Sequence, residues 1–182
     1  HDALPISFNA STHSVEVEMH DASAALTLGF SFAMDSHGVL SIQAKIKNTG
    51  NDQYTLNEFI YWLPLPQEAA QTLDFAGRWS NERHPQRRDI ATGTWVRDSR
   101  EGRSGHNFTI AQVALEASTT FASGSAWALS SAWSGNNQNL VERTAEGFQA
   151  IGAGELLLPG EVILEAGQDY VPPRVVAVFS SA

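Results

Sequence analysis

Along most of this chain apolar and polar residues alternate one for one. Val15, Val17 and Met19 share one side of SVEVEM, and Leu26, Leu28, Phe30 and Phe32 share one side of ALTLGFSF. Leu40, Ile42, Ala44 and Ile46 oppose Ser41, Gln43, Lys45 and Lys47 in GVLSIQAKIKN. Successive side chains of a strand point to opposite faces, so each segment reads as a β-strand with one buried and one wet face. Asn, Asp and Gly clusters at 35–38 and 48–52 separate them, residues able to adopt positive φ and to bond their own backbone.

The pattern continues. YTLNEFIYWLPLP at 54–66 has apolar residues on both faces around Phe59 to Leu63, predicting a strand covered on both sides and ended by Pro64 and Pro66, since proline donates no ladder hydrogen bond. PQEAAQTLDF at 66–75 is the one candidate helix. Residues 77–107 are polar, with four glycines, and predict irregular structure holding one or two short strands, ATGTWVRDS the better of them. Alternation returns in HNFTIAQVALEA, SAWALSSAW, NLVERT, GFQAIGAGELLL, EVILEA and RVVAVFS. Turn signals recur about every 8–12 residues, the spacing of a sandwich or barrel. The expectation is one all-β domain over 1–182 with ten to fourteen antiparallel strands.

The chain has 182 residues and no cysteine, which excludes disulfides and thiolate metal sites. Its formal charge of −9 disfavours binding to phosphate backbones or anionic membranes over the whole surface. No apolar run approaches the roughly 18 residues of a membrane span, and no signal-peptide pattern opens the chain. The expected location is the cytoplasm. The opening HDALPIS lacks methionine, so the chain reads as a piece of something longer.

The charge is uneven. Seven of nine arginines lie from Arg78 to Arg103 with only four acids among them, leaving that window +3 and the remainder −12. GRWSNERHPQRR packs Arg78, Trp79, Glu82, Arg83, His84, Arg87 and Arg88 into twelve residues. Arginine forks recognise carboxylates, phosphates and hydroxyls with fixed geometry, and tryptophan stacks on the apolar face of a sugar ring. The alternative is internal: ion pairs with Glu82, Asp89 and Glu101 around a buried tryptophan. Trp127 and Trp133, on one face with Leu129, read as core, with Gly135 permitting a turn and Asn136 capping it.

No motif of a serine hydrolase, zinc protease, P-loop or calcium loop occurs. The six histidines, at 1, 13, 20, 37, 84 and 106, show no metal-ligand spacing, and no cofactor is expected. A complete small glycosidase needs two facing carboxylates about 5–10 Å apart. Glu16 and Glu18 are the nearest candidates and read as a solvated strand face.

GRWSNER, SREGRSGHNF, WSGNN and LLPGE, in that order, together resemble the N-terminal domain of glycoside hydrolase family 36, the α-galactosidase (melibiase) family. The matching positions are Gly77, Trp79, Glu82 and Arg83; Ser99, Arg100, Gly102, Ser104 and His106; Trp133, Ser134, Gly135 and Asn136; and Pro159, Gly160 and Glu161. Gly105 stands where the family has a second serine, Trp133 where it has tyrosine, and Arg174 follows Pro172-Pro173 where the family has an acid.

The resemblance implies an antiparallel β-supersandwich of two large twisted sheets, galactose mutarotase-like. It implies a non-catalytic domain ahead of a retaining (β/α)8 barrel that carries two catalytic aspartates, with that barrel and a homo-oligomer as partners and α-galactosides as the parent's substrates. It further implies that Arg78, Trp79, Arg83 and His84 border a sugar site in the oligomer, with Gly77, Glu82, the 133–136 turn and the 159–160 turn structural. Two other readings stay open: a stand-alone carbohydrate-binding module, and a complete small β-sandwich enzyme.

Overall fold

A computed structural model describes residues 4–108 and 111–181. Every regular element among them is a β-strand, and every pairing named below is antiparallel. In chain order these are β1 (Leu4–Ala10), β2 (Ser14–Asp21), β3 (Leu26–Met34), β4 (Leu40–Asn48), β5 (Tyr54–Leu56), β6 (Tyr61–Leu65), β7 (Ala69–Arg78) and β8 (Asn81–Asp89). There follow β9 (Gly93–Ser99), β10 (Ala111–Glu116), β11 (Ser125–Ser131), β12 (Asn137–Arg143), β13 (Gln149–Glu155), β14 (Val162–Leu164), β15 (Asp169–Tyr170) and β16 (Val175–Ser181). The sixteen strands exceed ten to fourteen because β1, β7, β8 and the two-residue β15 were not read as strands, and because 54–66 splits into β5 and β6. Thr109 and Ile110, part of the HNFTIAQVALEA segment, lie outside the described residues.

The chain divides into two compact units, 1–59 with 157–174, and 60–156 with 175–182. In the first, β1 to β4 pair in sequence order and β15 adds along β4, while β5 pairs with β14. The alternation read in β4 is real: Ile42, Ala44 and Ile46 are buried, with Lys45 and Lys47 exposed. Leu26, Ile46, Leu56, Leu157 and Leu164 form the core of this unit, with Leu28, Tyr54, Phe59 and Tyr170 packed against it. Asn48, also buried, ties the unit's chain reversals: its amide donates to the carbonyls of Asp52 (2.8 Å) and Leu164 (2.9 Å), and its oxygen accepts the Gly50 amide (3.0 Å). Glu16 accepts a bond from Ser31 on an exposed face.

The second unit holds a sheet in the order β16-β11-β10-β7-β8 and another in the order β6-β13-β12-β9. Leu129, Ala114, Val141, Ile151, Ala153 and Val175 are among its buried apolar residues. Polar residues share this interior, and the side-chain amides of two of them donate hydrogen bonds within it. Gln112 donates to Thr72 Oγ1, and Gln149 donates to the carbonyls of Pro66 (3.0 Å) and Ala69 (3.1 Å).

Three expectations are corrected here. The 66–75 helix is instead a turn leading into β7, whose buried positions Thr72 and Asp74 are polar and so hide the strand period. Residues 54–66 form two strands, and Trp62 is 41% exposed rather than covered. Pro64 does not end β6 but lies inside it, tolerated because β6 is the last strand of its sheet. Finally, most of 77–107 is regular: β8 and β9 occupy it, and strands are lacking only at the 79–80 loop, at 90–92 and from residue 100 on. β8 was hidden because it is polar throughout and buries no residue fully.

Candidate functional site

The arginine-rich window folds as a long hairpin. In the β7–β8 register Arg78 faces Asn81, so the loop is only Trp79 and Ser80. Reversing a strand in two residues requires positive φ somewhere, and Ser80 supplies it at 60°. A bulge lies below the tip: between the pairs Ala76–His84 and Arg78–Asn81, Gly77 alone faces Glu82 and Arg83, so the extra residue is on β8. A Cβ on Gly77 would lie 2.3 Å from the Asn81 carbonyl oxygen and 2.9 Å from Glu82 Cα, both backbone atoms that cannot yield. Across the bulge Arg83 sits at φ 56°, a conformation that costs a non-glycine residue about 1–2 kcal/mol.

This geometry holds Trp79 out at the tip, 81% exposed. The Glu82 carboxylate accepts the Ser80 amide at 2.9 Å, and His106 Nδ1 lies 3.8 Å from it. The Ser80 amide, then Glu82's own amide and the nearby His106, hold its pKa below the usual glutamate value against a smaller desolvation effect. His84 pairs with the Asn81 side chain. The side chains of Arg78 and Arg83 make no ion pair among the described residues.

Below the tip the hairpin is pinned. Asp74 on β7 is 2% exposed; it accepts from Arg88 on β8 at 2.6 Å and from the Trp95 indole on β9 at 3.2 Å. The Arg88 guanidinium lies 4.1 Å from the Trp95 ring centre, a cation–π contact. Arg87 donates to the carbonyls of Thr119 (2.7 Å), Ala117 (3.1 Å) and Glu116 (3.3 Å), fastening β8 to the segment after β10.

The 100–108 segment lies alongside, secured by the turn after β11. Asn136 Oδ1 accepts the Gly102 amide at 2.8 Å, and the Ser134 carbonyl accepts the Ser104 amide at 3.2 Å. Asn137, not Asn136, caps the turn, donating to the carbonyls of Gly135 (2.7 Å) and Trp133 (3.1 Å). Trp133 is not core: it is 40% exposed and folds over Gly135, where a Cβ would lie 2.4 Å from the indole nitrogen. Trp127 is half-buried, its ring 5.5 Å from that of Phe179. Hairpin and segment together enclose a cavity of about 250 Å3 lined by Phe75, Glu82, Arg83, Ser104, Gly105, His106 and Phe108.

Three of the four motifs read from the sequence thus meet in the second unit: Gly77 to His84, Gly102 to His106, and Trp133 to Asn136. Pro159 and Gly160 instead form a turn of the first unit, closed by the Glu161 carboxylate on the Leu158 amide at 2.7 Å. Among the described residues, the expected ion pairs of Glu82, Asp89 and Glu101 with the arginines do not form. Asp89 accepts from Gln71 and Glu101 from Asn107, and the buried acid that carries the arginine is Asp74. Sequence reading missed Asp74, Trp95 and Asn137. Trp95 beside the arginine run was the available signal.

The sequence profile of the glycosyl hydrolase family 36 N-terminal domain matches residues 1–165. The chain belongs to this family. An α-galactosidase of Escherichia coli is 26% identical over 184 residues, covering 99% of this chain and 26% of the relative. The bifunctional α-galactosidase/sucrose kinase AgaSK of Mediterraneibacter gnavus is 26% identical over 172 residues, covering 92% of this chain and 18% of the relative. The chain thus spans about a quarter or less of these relatives. Among solved structures, the family 36 α-galactosidase AgaA of Geobacillus stearothermophilus superposes with a TM-score of 0.89 at 21% identity, over 99% of this chain and 28% of that one. A substituted AgaA in complex with raffinose gives 0.85 at 23% identity, over 98% of this chain and 26% of that one. The all-β antiparallel fold implied by the resemblance is therefore the fold observed. Among the described residues no histidine or acid cluster suits a metal, and no helix is long and apolar enough to cross a membrane.

Proposed function

We propose that this chain is the non-catalytic N-terminal domain of a cytoplasmic α-galactosidase-like hydrolase, and that its β7–β8 hairpin shapes the sugar site of a retaining catalytic barrel within an oligomer. Arg78, Trp79, Arg83 and His84 are its sugar-facing residues. Each has a role its chemistry suits: the indole stacks on the apolar face of a sugar ring, and the two guanidiniums, free of internal ion pairs among the described residues, donate to hydroxyls. The observation that carries this reading is Trp79 itself. A large apolar side chain left 81% exposed on a tip fixed by a bulge and a carboxylate is built for a partner, because burial elsewhere would be more favourable. Family membership supplies the partner's class. Relatives about four times the length, named as α-galactosidases, supply the reason to place catalysis outside these residues.

Two assays test it. The full reading frame encoding the chain hydrolyses p-nitrophenyl α-galactoside, whereas residues 1–182 alone release no nitrophenol. Residues 1–182 titrated with raffinose to millimolar concentration give no heat. Saturable heat marks a stand-alone carbohydrate-binding module, and turnover by residues 1–182 that is lost on changing a single acid marks a complete small enzyme.

A further inference from the structure

The exposed tip raises a question of its own: what keeps Trp79 in one place? Apolar packing does little there, since Trp79, Ser80, Asn81 and Glu82 are all exposed. Ser80 sits at φ 60°, which a serine leaves readily unless something holds it. Gly77 compresses the backbone below the tip but does not touch the loop amides beyond Asn81, Glu82 and Arg83. Among the described residues, a side chain reaches the loop itself: the Glu82 carboxylate accepts the Ser80 amide at 2.9 Å.

From outside the hairpin, one more group comes near Glu82. His106 stands 3.8 Å from the same oxygen, Oε1. His106 belongs to the segment fastened by the Asn136 and Ser134 contacts to the Gly102 and Ser104 amides. A continuous run of contacts thus leads from the 133–137 turn through His106 and Glu82 to the residue beside Trp79. The three sequence motifs of this unit form one support.

We propose that Glu82 is the positioning residue of the Trp79 platform: by accepting the Ser80 amide it locks the two-residue loop, so that Trp79 is presented in a fixed orientation to the sugar. Glu82 itself touches no sugar in this arrangement. The inference rests on the hairpin's role proposed above, so one readout is chosen that does not depend on that role.

The first readout is amide hydrogen exchange of the segment 78–84 in the full-length protein. Glu82→Ala removes the acceptor and raises exchange at Ser80 about tenfold, the scale expected when a charge-assisted hydrogen bond is lost. Glu82→Gln keeps an accepting oxygen and restores exchange to within about threefold of the parent. Exchange in β11, in the same unit, stays unchanged and certifies the fold. Should Glu82→Ala fail to fold, Glu82→Asp, one methylene shorter, replaces it with the same expected direction.

The second readout is kinetic, with raffinose as substrate. Glu82→Ala raises KM about fivefold while kcat holds within about twofold, the pattern of lost binding rather than lost chemistry. In a Trp79→Ala background the same change adds less than about twofold, because the platform it positions is gone. Unchanged exchange at Ser80 in Glu82→Ala overturns the proposal, and so do losses that multiply fully in the double variant. If Trp79→Ala alone leaves KM untouched, the sugar-facing role of the hairpin fails, and the exchange result still decides whether Glu82 locks the loop.

Discussion

Two hairpins of nearly equal length solve the same problem by opposite means. The β3–β4 hairpin, Leu26 to Asn48, is held by an apolar face: Ile42, Ala44 and Ile46 are each at most 2% exposed. The β7–β8 hairpin, Ala69 to Asp89, has almost no apolar face on its outer strand, and no residue of β8 is fully buried. It is held by directed bonds instead, with Asp74 on Arg88 at its middle, Arg87 on three carbonyls, Gly77 compressing the neck and Glu82 on the loop. Apolar packing tolerates any side chain of similar volume, whereas directed bonds fix the backbone and leave the outer side chains free. A hairpin of the second kind presents residues; one of the first kind makes a core.

Substitutions sharpen this contrast. Ile46→Ala, which opens a cavity in a core residue 1% exposed, lowers unfolding free energy by about 3–4 kcal/mol in urea denaturation. Asp74→Ala leaves Arg88 without its partner and costs about 3 kcal/mol by the same measurement. A loss under about 1 kcal/mol there would show that the second hairpin leans on something other than its buried acid. Gly77→Ala forces Cβ against backbone and costs about 2 kcal/mol. Its diagnostic companion is faster amide exchange confined to 76–84.

Acid treats the two hairpins alike. Asp35 in the β3–β4 turn, held mainly by the Val39 amide, and Glu82 in the β7–β8 turn, held mainly by the Ser80 amide, both have lowered pKa values. A group whose folded pKa is depressed adds stability above its unfolded value and loses it as pH falls through the folded one. Stability therefore falls from the ordinary carboxylate range downward, between about pH 5 and pH 3. Urea midpoints that stay flat across that window would contradict the assignment of both turns. At the small end of the scale, Trp79→Ala changes the urea midpoint by less than the equivalent of about 0.5 kcal/mol, because the side chain is 81% exposed.

The same contrast explains what could be read in advance. The strict alternation of Leu40 to Lys47 disclosed β4 because one face is apolar and buried. β7 passed for a helix because two of its buried residues, Thr72 and Asp74, are polar and invert the pattern, while AAQTL suits a helix intrinsically. β8 passed for a loop for want of any buried face. Gly77, Trp79, Glu82 and Arg83 stood out by residue type and by the family resemblance, but not as a hairpin tip: a two-residue reversal between two polar strands leaves no periodic signal. Asp74 was not legible: its role depends on Arg88 and Trp95 arriving from β8 and β9, and nothing local to residue 74 announces that. Trp133 misled in the other direction, a large indole taken for core that covers its own glycine turn.

The most direct test is kcat/KM for raffinose in the full reading frame carrying Trp79→Ala. If the hairpin presents Trp79 to a sugar, the value falls about tenfold or more while the urea midpoint stays where it was. An unchanged kcat/KM would mean that this exposed indole serves some other surface, and that the sugar site is shaped without it.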